Sequence, residues 1–106
     1  MKTAIPSSGN NIEAPMDFRF GRCAWFCIYD TESNHTQFTE NKLMNASEGV
    51  GLQAAEFLAK QEVSEVYAME VGPRAEKMMN KLNIKINLIK ERLTIKQVIN
   101  MLNQKN

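Results

Sequence analysis

At 106 residues the chain is long enough for one domain that buries most of its apolar surface without covalent staples. Its 43% apolar and 24% charged residues are ordinary for a globular protein, and a net charge of +1 argues against nucleic acid or membrane as a partner. With no secretory signal, no apolar run of membrane-spanning length and only two cysteines, a reduced cytoplasmic protein is the expectation.

The charge is unevenly spread. Residues 1–70 hold five Lys/Arg and ten Asp/Glu, a balance of −5, and residues 71–106 hold eight and two, a balance of +6. The lysines at 77, 81, 85, 90 and 96 are spaced as the wet faces of helices and a strand, so the asymmetry is read as solvated surface.

In chain order, Lys2–Pro6 is a short strand closed by proline, and Ser7-Ser8-Gly9-Asn10-Asn11 is a loop. Residues 12–17 are irregular, interrupted by Pro15. Ala24–Asp30 is an aromatic-rich buried strand, followed by the polar turn 31–34 and an edge strand over His35–Glu40 that pairs back as a hairpin. A second polar loop, 41–49, leads into a helix over Gly51–Gln61.

Val63–Met69 is the fourth strand, and Gly72-Pro73 starts a helix with glycine at the cap and proline in the first turn. Ala75, Met78, Met79 and Leu82 form its apolar stripe, with the methionines read as core filler. Ile84–Ile89 is the fifth strand. Thr94 and Gln97 make a capping box ahead of a last helix striped by Ile95, Val98, Ile99 and Leu102.

A hairpin-linked front half followed by alternating β and α elements predicts an α/β fold, a mixed sheet with helices on both faces. Right-handed crossovers make strands one, four and five parallel, with strand two antiparallel. The order 3-2-1-4-5 that results resembles the ribonuclease H-like three-layer arrangement.

In that topology the loops after strands one, four and five, the start of strand two and the lead-in to the first helix reach one sheet edge. Ligands of open α/β sheets bind at such an edge. Two helix amino termini, near Gly51 and at Pro73, would aim N–H groups there, which suits an anion. Gly49, Gly51 and Gly72 would let backbone approach a ligand.

Within Asp17-Phe18-Arg19-Phe20-Gly21-Arg22-Cys23, Arg22 and Cys23 are expected at the mouth of the second strand. There a thiolate would be favoured by the neighbouring cation. Cys27 falls mid-sheet as a small hydrophobe, about 13 Å from Cys23 at strand rise and beyond disulfide reach.

Other chemistry finds little support. The first strand, Lys2-Thr3-Ala4-Ile5-Pro6, has no carboxylate for a metal-dependent nuclease, and no GxxxxGK[ST] loop is present. With a single histidine, His35, beside a hairpin turn, neither zinc binding nor a hydrolytic triad can be assembled. No acid–base pair can be placed, and the chain is read as a non-enzyme.

Six segments carry a resemblance: Ile5-Pro6-Ser7-Ser8-Gly9, Arg19-Phe20-Gly21-Arg22-Cys23, Ile28-Tyr29-Asp30, Asn45-Ala46, Gly49-Val50-Gly51 and Val71-Gly72-Pro73-Arg74-Ala75. In order and spacing they are similar to the dinitrogenase iron–molybdenum cofactor biosynthesis family, over nearly the whole chain. The resemblance implies a ribonuclease H-like fold. It also implies a non-catalytic carrier or scaffold for an iron–sulfur or molybdenum–iron–sulfur species. Cys23 would be the metal ligand, and Arg19, Arg22, Gly49, Gly51 and Gly72 would support the bound negative charge.

One thiolate per chain under-ligates such a cluster, which predicts a homodimer, exogenous ligands, or a partner protein acting as cluster donor or acceptor. Three positions depart from the family pattern. Arg19 stands where the nitrogenase-associated carriers have histidine, Glu70 where asparagine is common, and Glu48 at a position usually small. The alternative is a metal-free module binding a protein segment or small anion in the same crevice.

Overall fold

The computed structural model describes residues 1–104 and contains the expected elements in the expected order. They are β1 (Lys2–Ser7), β2 (Trp25–Asp30), β3 (Thr36–Glu40), α1 (Val50–Lys60), β4 (Val63–Ala68), α2 (Pro73–Lys81), β5 (Lys85–Leu88) and α3 (Ile95–Asn103). The sheet order is β3-β2-β1-β4-β5, with β1 antiparallel to β2 and parallel to β4, which is parallel to β5. Strand boundaries differ from the sequence reading by one residue at an end. At β1 the change concerns Pro6, which lies inside the strand and does not end it.

A proline in a central strand has to sit where no ladder donor is required. Here the β1–β4 ladder covers only Lys2–Ala4 against Val63–Val66, so by Pro6 the two strands have parted. Residues 15–17 take the vacated side. Ser7 bridges Met16, and the Pro6 carbonyl accepts from the Asp17 N–H at 3.0 Å. The stretch expected to be irregular is therefore pinned on both flanks, since Met16 N–H donates to Leu93 O at 2.8 Å and Ile95 N–H to Ala14 O at 2.9 Å.

Strand alternation sorts the core into two layers. Ala4, Phe26, Ile28, Val66 and Ala68 face α1 and α2, meeting Ala54, Ala55, Leu58, Ala75 and Met79. Ile5, Cys27, Tyr29 and Tyr67 face α3, meeting Ile95, Val98 and Leu102. Each fully buried aliphatic or aromatic side chain stabilises this arrangement by about 1.5–3 kcal/mol. Among the described residues, no helix is long and apolar enough to cross a membrane.

Candidate functional site

At the carboxyl edge of β4 a cleft of about 570 Å³ opens between the 19–22 turn, the start of α1 and the start of α2. That is ordinary volume for a small-ligand site. Arg19, Arg22, Gly49, Gly51 and Gly72 all line it, together with Glu70 and Arg74. Cys23 does not. Neither does the 7–11 loop nor the turn after Ile89, which the topology had suggested would arrive there. Both pack instead around residues 12–17, with Ser8 N–H bonded to Pro15 O and Met16 N–H to Leu93 O.

Two glycines let the 19–22 turn and the start of α1 come together at the cleft. A Cβ on Gly21 would stand 2.9 Å from the Gly51 nitrogen and 3.0 Å from its Cα, so the turn and the helix start touch backbone to backbone. Gly49, the residue before α1, has φ +72°, the left-handed region that favours glycine.

Neither α1 nor α2 has a side-chain cap at its start. Their first helical bonds are Gln53 N–H to Gly49 O and Glu76 N–H to Gly72 O. The N–H groups of Val50, Gly51 and Leu52, and of Arg74 and Ala75, precede those bonds and belong to residues lining the cleft. Pro73, at the first position of α2, has no N–H to leave unmatched.

The three arginines are not equivalent. Arg19 is clasped by the buried Asp17 carboxylate through Nε–Oδ1 and Nη2–Oδ2 contacts, both 3.2 Å, and its pKa is raised chiefly by that hydrogen bond. Arg22 turns its guanidinium onto the 41–49 loop, donating to the carbonyls of Met44 at 3.2 Å, Ala46 at 2.8 Å and Ser47 at 3.4 Å. Arg74 has no hydrogen bond or ion pair among the described residues and is exposed. Of the three, it is the cation with a whole guanidinium to offer.

Cys23 is fully buried beneath the cleft, and its position corrects the expectation of a thiolate at the mouth. Burial, reinforced by the Asp17 charge, pushes its thiol up to about 12, while the Ser7 N–H and the Asn41 amide only partly offset this. The Arg22 guanidinium that was to favour the thiolate is engaged with carbonyls elsewhere. Cys27 is buried as expected and is likewise pushed up to about 12 by burial.

Two residues that sequence reasoning passed over shape the site. Asp17 orders the turn, accepting from the Arg19 N–H at 3.0 Å as well as from its side chain. Asn41 ties the turn to the 41–49 loop, donating from Nδ2 to Gly21 O at 3.0 Å and Cys23 O at 2.9 Å while accepting from Leu43 N–H at 3.1 Å. An Asx residue just past a strand end and a carboxylate two residues before an arginine were the available signals.

Among solved structures, the chain is similar to the apo form of the orange protein from Desulfovibrio gigas. The TM-score is 0.90 at 28% identity, over 97% of this chain and 87% of that one. It is similar also to a NifB-like protein of the DUF35 family from Thermotoga, with a TM-score of 0.84 at 29% identity over 98% and 88% of the two chains. An uncharacterized protein of Methanocaldococcus jannaschii is 29% identical over 89 residues, 81% of this chain and 72% of its own. The family model described as dinitrogenase iron–molybdenum cofactor matches residues 1–105, and the chain belongs to that family.

Proposed function

We propose that the protein is a non-catalytic carrier of a small anionic metal–sulfur species, held in the cleft by N–H groups and Arg74 and not by a protein thiolate. The observation that carries this is the pairing of two uncapped helix starts with an unpaired guanidinium around one cleft. Each helix start is equivalent to about half a positive charge. Family membership supports a cofactor-associated role.

With Cys23 buried and protonated, the cargo's metals take their ligands from their own sulfides. That is the exogenous-ligand route, and it needs no second subunit to complete the coordination. Release to an acceptor protein then requires no thiolate exchange at the site. Arg19, already neutralised by Asp17, shapes the turn more than it contributes charge.

The buried thiol equally favours the metal-free alternative, in which the same cleft holds a small anion or an acidic segment of a partner. Anaerobic titration with tetrathiomolybdate, and reconstitution with iron and sulfide, separates the two. Wild type and Cys23→Ser are expected to retain the metal–sulfur probe alike, and Arg74→Gln to bind it about tenfold more weakly. Retention of sulfate in preference to thiomolybdate would establish the metal-free reading. Loss of the probe on Cys23→Ser, in a protein that still melts cooperatively, would return the thiolate to the site.

A further inference from the structure

Glu70 is a carboxylate in a cleft otherwise suited to anions. It lines the cleft with Arg74 and both helix starts, is exposed, and has no ion pair or hydrogen bond among the described residues. Asp17 already cancels Arg19, so the nearby side-chain charge comes from Arg22 and Arg74 against Glu70. Arg22 has much of its donor capacity committed to three carbonyls. Glu48, the other acid in the neighbouring loop, is exposed and does not line the cleft.

We propose that Glu70 sets the charge the cleft accepts. It penalises multiply charged anions, so the preferred cargo is a metal–sulfur species of low net negative charge, with a metal centre or protonated edge turned toward the carboxylate. This rests on the reading of the cleft as an anion site. The physical basis is simple: repulsion by one fixed charge scales with ligand charge, so a dianion feels twice the free-energy penalty of a monoanion of the same shape.

Two tetrahedral tetrathiometallates of equal shape and different charge serve as probes: tetrathiomolybdate, a dianion, and tetrathiorhenate, a monoanion. Affinities are measured for wild type, Glu70→Gln, Glu70→Asp and Glu48→Gln, at two salt concentrations. Glu70→Gln is expected to bind the dianion about tenfold and the monoanion about threefold more tightly than wild type, with both gains shrinking at high salt. Glu70→Asp should keep the wild-type ratio between the probes, and Glu48→Gln should change neither affinity.

Equal gains for both probes, or the same gains from Glu48→Gln, would overturn the assignment to Glu70 and leave the anion site standing. Unchanged binding in Glu70→Gln would do the same. Failure of every variant, wild type included, to bind either probe would overturn the anion site and the role of Glu70 together.

Discussion

On one face of the sheet, α3 begins with its N–H groups satisfied. Ile95 N–H donates to Ala14 O, Lys96 N–H to Ile12 O, and Gln97 N–H to Thr94 Oγ1, while the Gln97 side-chain Oε1 accepts from the Thr94 N–H. On the other face, α1 and α2 each follow a glycine and have no side-chain cap. Protein groups do at α3 what is left open at the cleft. A helix that only has to pack is capped by its own chain, and one that meets a ligand can leave the capping to the ligand.

The largest expected effect tests whether both layers are closed to water, since each holds one thiol. Cys23 belongs to the α1/α2 layer and Cys27 to the α3 layer, both pushed up to about 12 by burial. A thiol with a folded pKa above its unfolded value contributes stability that is complete below about pH 9. That contribution is lost as pH climbs toward 12, up to roughly 4 kcal/mol for each thiol. Denaturant melts between neutral and strongly alkaline pH should show this fall, steepened by both cysteines. Near neutrality both thiols should alkylate slowly, Cys23 first, because lifting the 41–49 loop exposes it while Cys27 requires α3 to leave. A thiolate absorbance at neutral pH would contradict the closed layer beneath the cleft.

The next effect bears on the cleft side alone. Gly21→Ala drives a methyl into the Gly51 and Val50 backbone, which cannot swing aside as a side chain could. A loss of about 2–4 kcal/mol is expected, with loss of probe binding. Gly72→Ala meets nothing within 4 Å and should cost less than about 1 kcal/mol. Thermal melts of the pair check this. Equal destabilisation would mean that contact between the 21 turn and α1 does not set the cleft width.

The fold was legible in the sequence because its signals are periodic and local. The Ala75–Met78–Met79 stripe, the Gly72-Pro73 start and the Thr94–Gln97 box each have a mechanism that tertiary context did not override, whereas Leu82, read as the end of that stripe, lies just past α2 and is exposed. Pro6 misled, since where β1 parts from β4 is decided by Met16 and Asp17 arriving from a stretch with no period of its own. Five of the six expected site residues line the cleft because glycines and arginines in loops follow from topology. Cys23 did not, because side-chain direction at a strand's entry depends on a single residue of register. Arg22 beside it in sequence therefore points to the 41–49 carbonyls while the thiol points inward.

The smallest effects have opposite signs and bear on the capping contrast itself. Thr94→Ala removes a cap whose side chain accepts from Gln97 N–H at 3.2 Å, and should cost about 1 kcal/mol with no change in probe affinity. Gly72→Ser adds the cap that α2 lacks. Its backbone, φ −68° and ψ 162°, already has the extended geometry of a capping serine, and a Cβ there meets open space. The hydroxyl would accept from the N–H of Arg74 or Ala75, stabilising the protein by a few tenths of a kcal/mol. The same bond occupies a donor that the cargo would use, so tetrathiomolybdate affinity should fall severalfold as the melting temperature rises. A serine that stabilises α2 and leaves affinity untouched would show that this helix start is open for some reason other than the ligand.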